Sequence, residues 1–111
     1  MINIMKQIHT PEEVNSLKQS DRPVVFLWTA SWCPDCVYLY PFLDQIEKDN
    51  PDFDFYKLDR DELLDEAIDQ EILGIPSFTV FKGGKELGRF VSKLRKTPQE
   101  IQQFLNSVKE V

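Results

Sequence analysis

The chain has 111 residues, 41% of them hydrophobic and 29% charged, and a net charge of −6. That length holds one domain, residues 1–111, whose core covers roughly two-thirds of the surface of the unfolded chain, and the composition is that of an ordinary globular protein. The acidic balance argues against nucleic acid and anionic membrane surfaces as partners, and no apolar run approaches the ~20 residues of a membrane helix.

Met1 to Gln7 lacks a basic segment followed by an apolar core of signal length. The protein is therefore expected in the cytoplasm, where thiols are kept reduced. Lys6-Gln7-Ile8 suits a short first strand. Thr10-Pro11-Glu12-Glu13 forms a capping box, with Thr10 as N-cap, Pro11 at the first helical position and Glu13 reaching back. The helix is predicted to run to about Ser20, with Val14 and Leu17 inward. His9 precedes the cap, far in sequence from the cysteines, and reads as a surface or edge residue rather than a catalytic base.

Asp21-Arg22-Pro23 is a turn. Val24–Trp28 is an apolar run of the kind buried on both faces of a sheet, with Trp28 as core packing. A small polar turn follows, Thr29 to Ser31, and then a helix over about Pro34–Lys48. Leu39, Phe42, Leu43 and Ile46 recur at helical spacing and mark its core face. Pro41 lies inside this pattern and predicts a kink. Asn50-Pro51-Asp52 ends the helix, and Phe53, Phe55 and Leu58 mark a strand over Phe53–Asp59. Asp61–Gln70 reads as a helix with Leu63, Leu64, Ala67 and Ile68 as its apolar stripe. Its acidic residues, Asp61, Glu62, Asp65, Glu66 and Asp69, read as a solvated face rather than a metal site.

Pro76 opens a strand over Ser77–Phe81. Lys82-Gly83-Gly84-Lys85 has the glycines of a hairpin turn, and Leu87–Val91 returns antiparallel. Thr97-Pro98-Gln99-Glu100 is a second capping box. It opens a final helix to about Lys109, with Ile101, Phe104, Leu105 and Val108 inward. The order β-α-β-α-β-α-β-β-α joins parallel strands by helical crossovers and adds one antiparallel hairpin. The fold class is α/β, a mixed central sheet with helices on both faces.

The chemistry concentrates where the first apolar strand meets its helix. Both cysteines of the chain, Cys33 and Cys36, stand there two residues apart. A helix N-terminus offers free N–H groups and the positive end of a dipole, which favour a thiolate at Cys33. Cys36 lies one turn later on the same side and can reach back to form a disulfide. A zinc site would need four ligands, and the chain offers two cysteines and a single histidine. A plain structural disulfide closing so short a loop would constrain the unfolded chain little. Cys-x-x-Cys after a buried strand in a βαβ pattern points instead to redox chemistry.

Trp32-Cys33-Pro34-Asp35-Cys36 resembles the Trp-Cys-x-x-Cys active site of the thioredoxin family. Gly74-Ile75-Pro76-Ser77 is similar to that family's Gly-Ile-Pro-Thr segment with its cis-proline, and Phe81-Lys82-Gly83-Gly84 to the turn that follows. The resemblance runs without large gaps over nearly the whole chain. It implies the thioredoxin fold and a protein-disulfide reductase, with Cys33 as nucleophile and Cys36 as resolving thiol. It implies a cis Pro76 facing the cysteines, and a partly exposed Trp32 flanking them. Pro34, Asp35, Ile75 and Ser92 complete the expected substrate-contact surface. The expected partners are protein disulfides and an NADPH-dependent flavoprotein reductase. The protein is expected to act as a monomer, with no bound cofactor and no metal.

Three positions depart from the family pattern. Leu27 stands where the family has a buried aspartate thought to help deprotonate the resolving cysteine, while that residue's lysine partner remains as Lys57. Without the aspartate, Lys57 should turn to solvent or to Asp59, and Asp35 becomes the candidate proton acceptor. Pro34-Asp35 replaces Gly-Pro between the cysteines. Val91-Ser92-Lys93 replaces a usual Val-Gly-Ala, adding bulk and charge. Together these point to a specialised reductase with a narrower client set. The competing classes are a binding or adaptor module with little turnover, and an isomerase or oxidant. The intact cysteine pair argues against the first; the cytoplasmic setting and the acid between the cysteines argue against the second.

Overall fold

The structure, a computed structural model, describes residues 5–109. Met1 to Ile4, part of the segment read as carrying no leader, lie outside the described residues. The elements follow in the order β1 (Lys6–Ile8), α1 (Pro11–Lys18), β2 (Val24–Thr29), α2 (Pro34–Asp49), β3 (Asp54–Asp59), α3 (Leu64–Asp69), β4 (Ser77–Lys82), β5 (Lys85–Phe90) and α4 (Pro98–Lys109). The five strands form one sheet in the order β1-β3-β2-β4-β5. β1 and β2 both run parallel to β3, while β2–β4 and β4–β5 are antiparallel. This is the thioredoxin fold, in the element order read from the sequence.

Strand side chains alternate between faces, and the core divides accordingly. Ile8, Val24, Phe26, Trp28 and Leu58 point to α1 and α3, where Val14, Leu63 and Ala67 meet them. Val25, Leu27, Phe55, Phe78 and Val80 point to α2 and α4, against Leu39, Leu43, Ile46, Ile101 and Leu105. β2 is central and buried at every position. It can therefore hold the turn that follows it in a fixed place.

Local chemistry explains where the elements begin and end. The Thr10 hydroxyl accepts the Glu13 N–H at 3.2 Å and donates to the Glu13 carboxylate at 3.1 Å, a variant of the expected box in which the carboxylate takes the hydroxyl proton. At α4 both expected bonds form, Glu100 N–H to Thr97 Oγ1 and Thr97 N–H to Glu100 Oε1. Gly83 and Gly84 have φ of 58° and 82°, as a tight two-residue turn requires. The return strand consequently starts at Lys85, earlier than the pattern Leu87–Val91 indicated. α2 continues through Pro41 from Pro34 to Asp49.

Three apolar side chains expected inside lie outside: Phe42, Leu64 and Ile68. α2 buries Cys36, Leu39, Leu43 and Ile46, and Phe42 falls one residue off that stripe, against the Tyr38 ring at 5.5 Å between centroids. α3 starts at Leu64 rather than Asp61 because the Asp59 carboxylate accepts the N–H groups of Asp61 (2.8 Å) and Glu62 (3.3 Å) in a preceding turn. Its inward line is Leu63, Ala67 and Ile72, and at ~100° per residue Leu64 and Ile68 rotate out of it. His9 is at the surface as expected, with Nδ1 2.9 Å from Glu62 Oε1.

Candidate active site

The end of β2 delivers the chain to Ala30, whose carbonyl accepts the Cys33 N–H at 3.2 Å. Cys33 is the N-cap of α2, with extended φ and ψ of −89° and 109°. Its Sγ accepts the Cys36 N–H at 3.2 Å, and its carbonyl accepts from Cys36 and Val37, each at 3.1 Å. The sulfur thus takes the place of a capping oxygen, at the positive end of the helix. In the reduced protein that position favours a thiolate. Cys33 and Cys36 are joined as a disulfide, with Cα atoms 5.3 Å apart. Cys33 is 5% exposed and Cys36 is fully buried, so Cys33 is the sulfur a large substrate can reach.

The Ile75–Pro76 peptide bond is cis, and the Ile75 carbonyl oxygen lies 3.9 Å from Cys33 Sγ. The Ser77 hydroxyl donates to the Gly74 carbonyl and ties this loop to the start of β4. Gly74 is there because nothing larger fits: a Cβ would come 2.5 Å from the Ser92 carbonyl and 2.6 Å from the Lys93 nitrogen. The cis-proline loop and the loop joining β5 to α4 therefore touch backbone to backbone beside the sulfur.

A groove of about 290 Å³ runs over Cys33 and brings together Trp32, Pro34, Asp35 and Ile75, all expected from the sequence. Arg60, Leu73, Gly74 and Lys93 also line it. Trp32 is 58% exposed, yet it is held on two sides. Its indole N–H donates to Asp61 Oδ2 at 2.6 Å, and the Arg60 guanidinium lies 5.2 Å from its ring. Leu73, within the groove, and Leu94, next to Lys93 in sequence, add exposed apolar surface.

Ser92 and Pro76, also expected at the site, do not line this groove; Ser92 lies behind it, its backbone against Gly74. The Ser92 carbonyl and hydroxyl accept from Lys96 Nζ at 3.3 and 3.0 Å, and the Leu94 carbonyl accepts from the same ammonium at 3.0 Å. Lys96 is buried, and that burial holds its ammonium below the ordinary lysine range, partly offset by Glu100 and Asp35. Asp35 accepts a hydrogen bond from Arg95 Nε at 2.9 Å.

Of the two outcomes expected for Lys57, solvent or Asp59, the ion pair with Asp59 does not form among the described residues, while the half-buried side chain lies beside an exposed ring. Asp59 is already engaged with backbone N–H groups. Lys57 instead places its ammonium 5.0 Å from the Tyr40 ring, and it does not line the groove. Arg60, Arg95 and Lys96 were not singled out from the sequence, and Asp61 was read only as part of a solvated acidic face. The visible signal was a basic run, Lys93-Leu94-Arg95-Lys96, in an acidic chain. What that run faces depends on folding.

A Cys-x-x-Cys pair at a helix N-terminus, in disulfide form and opposed by a cis-proline, defines a thiol–disulfide oxidoreductase. The thioredoxin family model matches residues 5–107. Thioredoxin-1 of Saccharomyces cerevisiae is 36% identical over 102 residues, covering 92% of this chain and 96% of that protein. An H-type thioredoxin of Fagopyrum esculentum is 36% identical over 87 residues, 75% of each chain. The crystal structure of thioredoxin from Trypanosoma brucei brucei superposes with a TM-score of 0.86 at 22% identity, covering 97% of this chain and 93% of that one. The chain belongs to the thioredoxin family.

Proposed function

We propose that this oxidoreductase reduces protein disulfides with Cys33 as nucleophile and Cys36 as resolving thiol. The observation that carries the assignment is the position of Cys33 Sγ, capping α2 and facing the Ile75 carbonyl, while Cys36 is fully buried behind it. The Cys33 thiolate attacks one sulfur of the substrate disulfide. That S–S bond breaks, a Cys33–substrate disulfide forms, and the leaving thiolate takes a proton. Cys36 gives up its proton and attacks Cys33 Sγ. The second substrate thiolate leaves and is protonated, and the Cys33–Cys36 disulfide remains. Two electrons pass from the dithiol to the substrate.

Trp32, Pro34, Asp35, Ile75, Pro76 and Ser92 are the proposed substrate contacts, Ser92 at the loop whose backbone meets Gly74. Asp35 is the nearest carboxylate in sequence to Cys36 and the acceptor proposed for its proton; Lys57 contributes charge at the neighbouring strand. The dithiol is restored by an NADPH-dependent flavoprotein reductase. The chain works in the cytoplasm as a monomeric single domain, a reading supported by the span of the family match and by the thioredoxins it resembles. Among the described residues no helix is long and apolar enough to cross a membrane.

Coupled NADPH oxidation with a flavoprotein reductase and a model disulfide tests this directly. Cys33→Ser abolishes turnover, and Cys36→Ser accumulates a mixed disulfide on Cys33 that mass spectrometry locates. Retained turnover in Cys33→Ser would reverse the assignment. Absence of turnover in the wild-type protein, with intact substrate binding, would favour an adaptor.

A further inference from the structure

Asp35 sets a carboxylate in the first turn of α2, beside the sulfur whose thiolate the reaction needs. A like charge there disfavours the thiolate. The carboxylate is not alone. Arg95, 60 residues further along the chain, donates from Nε to Asp35 Oδ1 at 2.9 Å. The same guanidinium lies 4.4 Å from the centroid of the Tyr38 ring, and Tyr38 is one helical turn beyond Asp35. Two residues of α2 therefore hold Arg95, one by charge and one by its ring face. The backbone on either side of Arg95 is fixed as well, because the Lys96 ammonium binds the Leu94 carbonyl together with the Ser92 carbonyl and hydroxyl.

The other charges at this end of the molecule do not take over that task. Arg60 lies over the Trp32 ring and 3.4 Å from Asp61 Oδ1, and Asp61 is also bonded to the indole. Lys93 lines the groove without an ion-pair partner within 4.0 Å among the described residues. Lys96 is committed to loop oxygens, although Asp35 acts on it through space.

We propose that Arg95 is a positioning residue of the redox centre: its guanidinium neutralises Asp35 and pins the loop between β5 and α4 to the first turn of α2. Cys33 keeps its thiolate despite the acid between the cysteines. The inference rests on Cys33 being the nucleophile. An exposed ion pair adds little to stability, so the effect is read at the sulfur and not in the melting temperature.

The test is a pH titration of the reduced protein, followed by ultraviolet thiolate absorbance and by alkylation with peptide mapping to identify the sulfur that reacts. The variants are Arg95→Gln, Arg95→Lys, Asp35→Asn and the Arg95→Gln/Asp35→Asn double variant. Arg95→Gln should lower the thiolate-to-thiol ratio of Cys33 about threefold, roughly half a pKa unit. Arg95→Lys, which keeps the charge, should recover most of that loss. Asp35→Asn should change the ratio by less than about twofold in the wild-type background and restore it in Arg95→Gln, the signature of a coupled pair. An unchanged titration in Arg95→Gln overturns the proposal, as does an Asp35→Asn effect equal in both backgrounds. If alkylation at neutral pH falls on Cys36, the nucleophile assignment itself has failed, whatever the Arg95 variants do.

Discussion

Lys96→Met removes the cation that organises the loop opposite the cis-proline while keeping most of its apolar stem. Lys96 is 1% exposed. Its ammonium holds three oxygens, two of them backbone carbonyls, at 3.0 to 3.3 Å and lies 5.1 Å from the Phe90 ring. Hydrogen bonds to a charged group contribute about 1.5–3 kcal/mol each, and a buried carbonyl left without a donor costs about 1–3 kcal/mol. Against this stands relief from burying a cation, worth several kcal/mol. The balance expected at neutral pH is a loss of about 2 kcal/mol, or roughly a 10 °C fall in Tm for a domain of this size. The pH dependence supplies a second signature. Burial lowers the folded-state pKa of Lys96, so at alkaline pH the folded protein sheds this proton before the unfolded chain does. Below the lowered pKa the penalty for charging the buried amine is constant. Stability from this group rises as pH climbs from the lowered pKa towards the unfolded value of about 10.4. Burial raises the Tyr56 pKa, which acts in the opposite sense at alkaline pH. The measured quantity is therefore the difference between wild type and Lys96→Met in urea unfolding across pH. The gap should widen as pH rises. A variant at least as stable as wild type would refute the account of Lys96 as a buried clamp, and a gap that stays flat into the alkaline range would refute the lowering of its pKa by burial.

Gly74→Ala drives a methyl group against the Ser92 carbonyl, which as backbone has little room to yield. A stability loss of about 1–3 kcal/mol is expected, with a lower kcat/KM for protein disulfides; wild-type values for both would mean that the two loops are not rigidly apposed. Lys93→Glu reverses the unpaired charge in the groove. It should slow reduction of disulfide peptides flanked by acidic residues and speed that of basic ones, each by about threefold at low salt, and equal effects on both peptides would deny Lys93 any part in client selection.

Features that depend on neighbours in sequence were readable in advance. β2 announced itself as an apolar run too short for a helix, and the cysteines at its end located the redox centre. Paired glycines fixed the hairpin, and Thr10 and Thr97 marked two helix starts. The cis bond at Pro76 followed from the family motif, because nothing in a single proline states its isomer. Periodicity failed where a helix began late. Asp59 captured the N–H groups of Asp61 and Glu62, delayed α3 to Leu64 and turned Leu64 and Ile68 outward. Contacts across long stretches of chain were not legible at all. Asp35 was read as a site residue with no partner named and Arg95 was not singled out, and only the fold places them 2.9 Å apart. Trp32 was read as a flank of the site, but the carboxylate that orients its indole was assigned to a solvated helix face.

Leu27 remains the position where sequence and structure together make the sharpest demand on the mechanism. It is fully buried, on the face of the sheet that packs against Leu39 and Leu43 of α2. Its register partners are Lys57 on β3 and Phe78 on β4. By the family resemblance this is the position whose aspartate would take the proton of Cys36, which is fully buried, and leucine offers no such acceptor. Desolvation in such a site disfavours a thiolate, so attack on the mixed disulfide should be slow near neutral pH. Leu27→Asp introduces an acceptor at a cost. Losing a buried leucine side chain costs about 2–5 kcal/mol, and a buried carboxylate adds to that unless it is paired. Lys57 lies on the adjacent strand, with its ammonium near Tyr40, and turning it towards position 27 would offset part of the charge penalty. A net loss of about 3 kcal/mol is expected, within the 5–15 kcal/mol typical of folded domains. The new carboxyl should have a raised pKa, so its destabilisation should grow as pH rises from about 4 through that raised value and be smaller in acid. The kinetic outcome decides the matter. In rapid-mixing experiments Leu27→Asp should resolve a preformed Cys33 mixed disulfide faster than wild type at neutral pH, with a gain that shrinks at alkaline pH where Cys36 ionises unaided. Equal resolution rates in a folded variant would show that the missing aspartate does not limit the reaction, and that Leu27 serves packing alone.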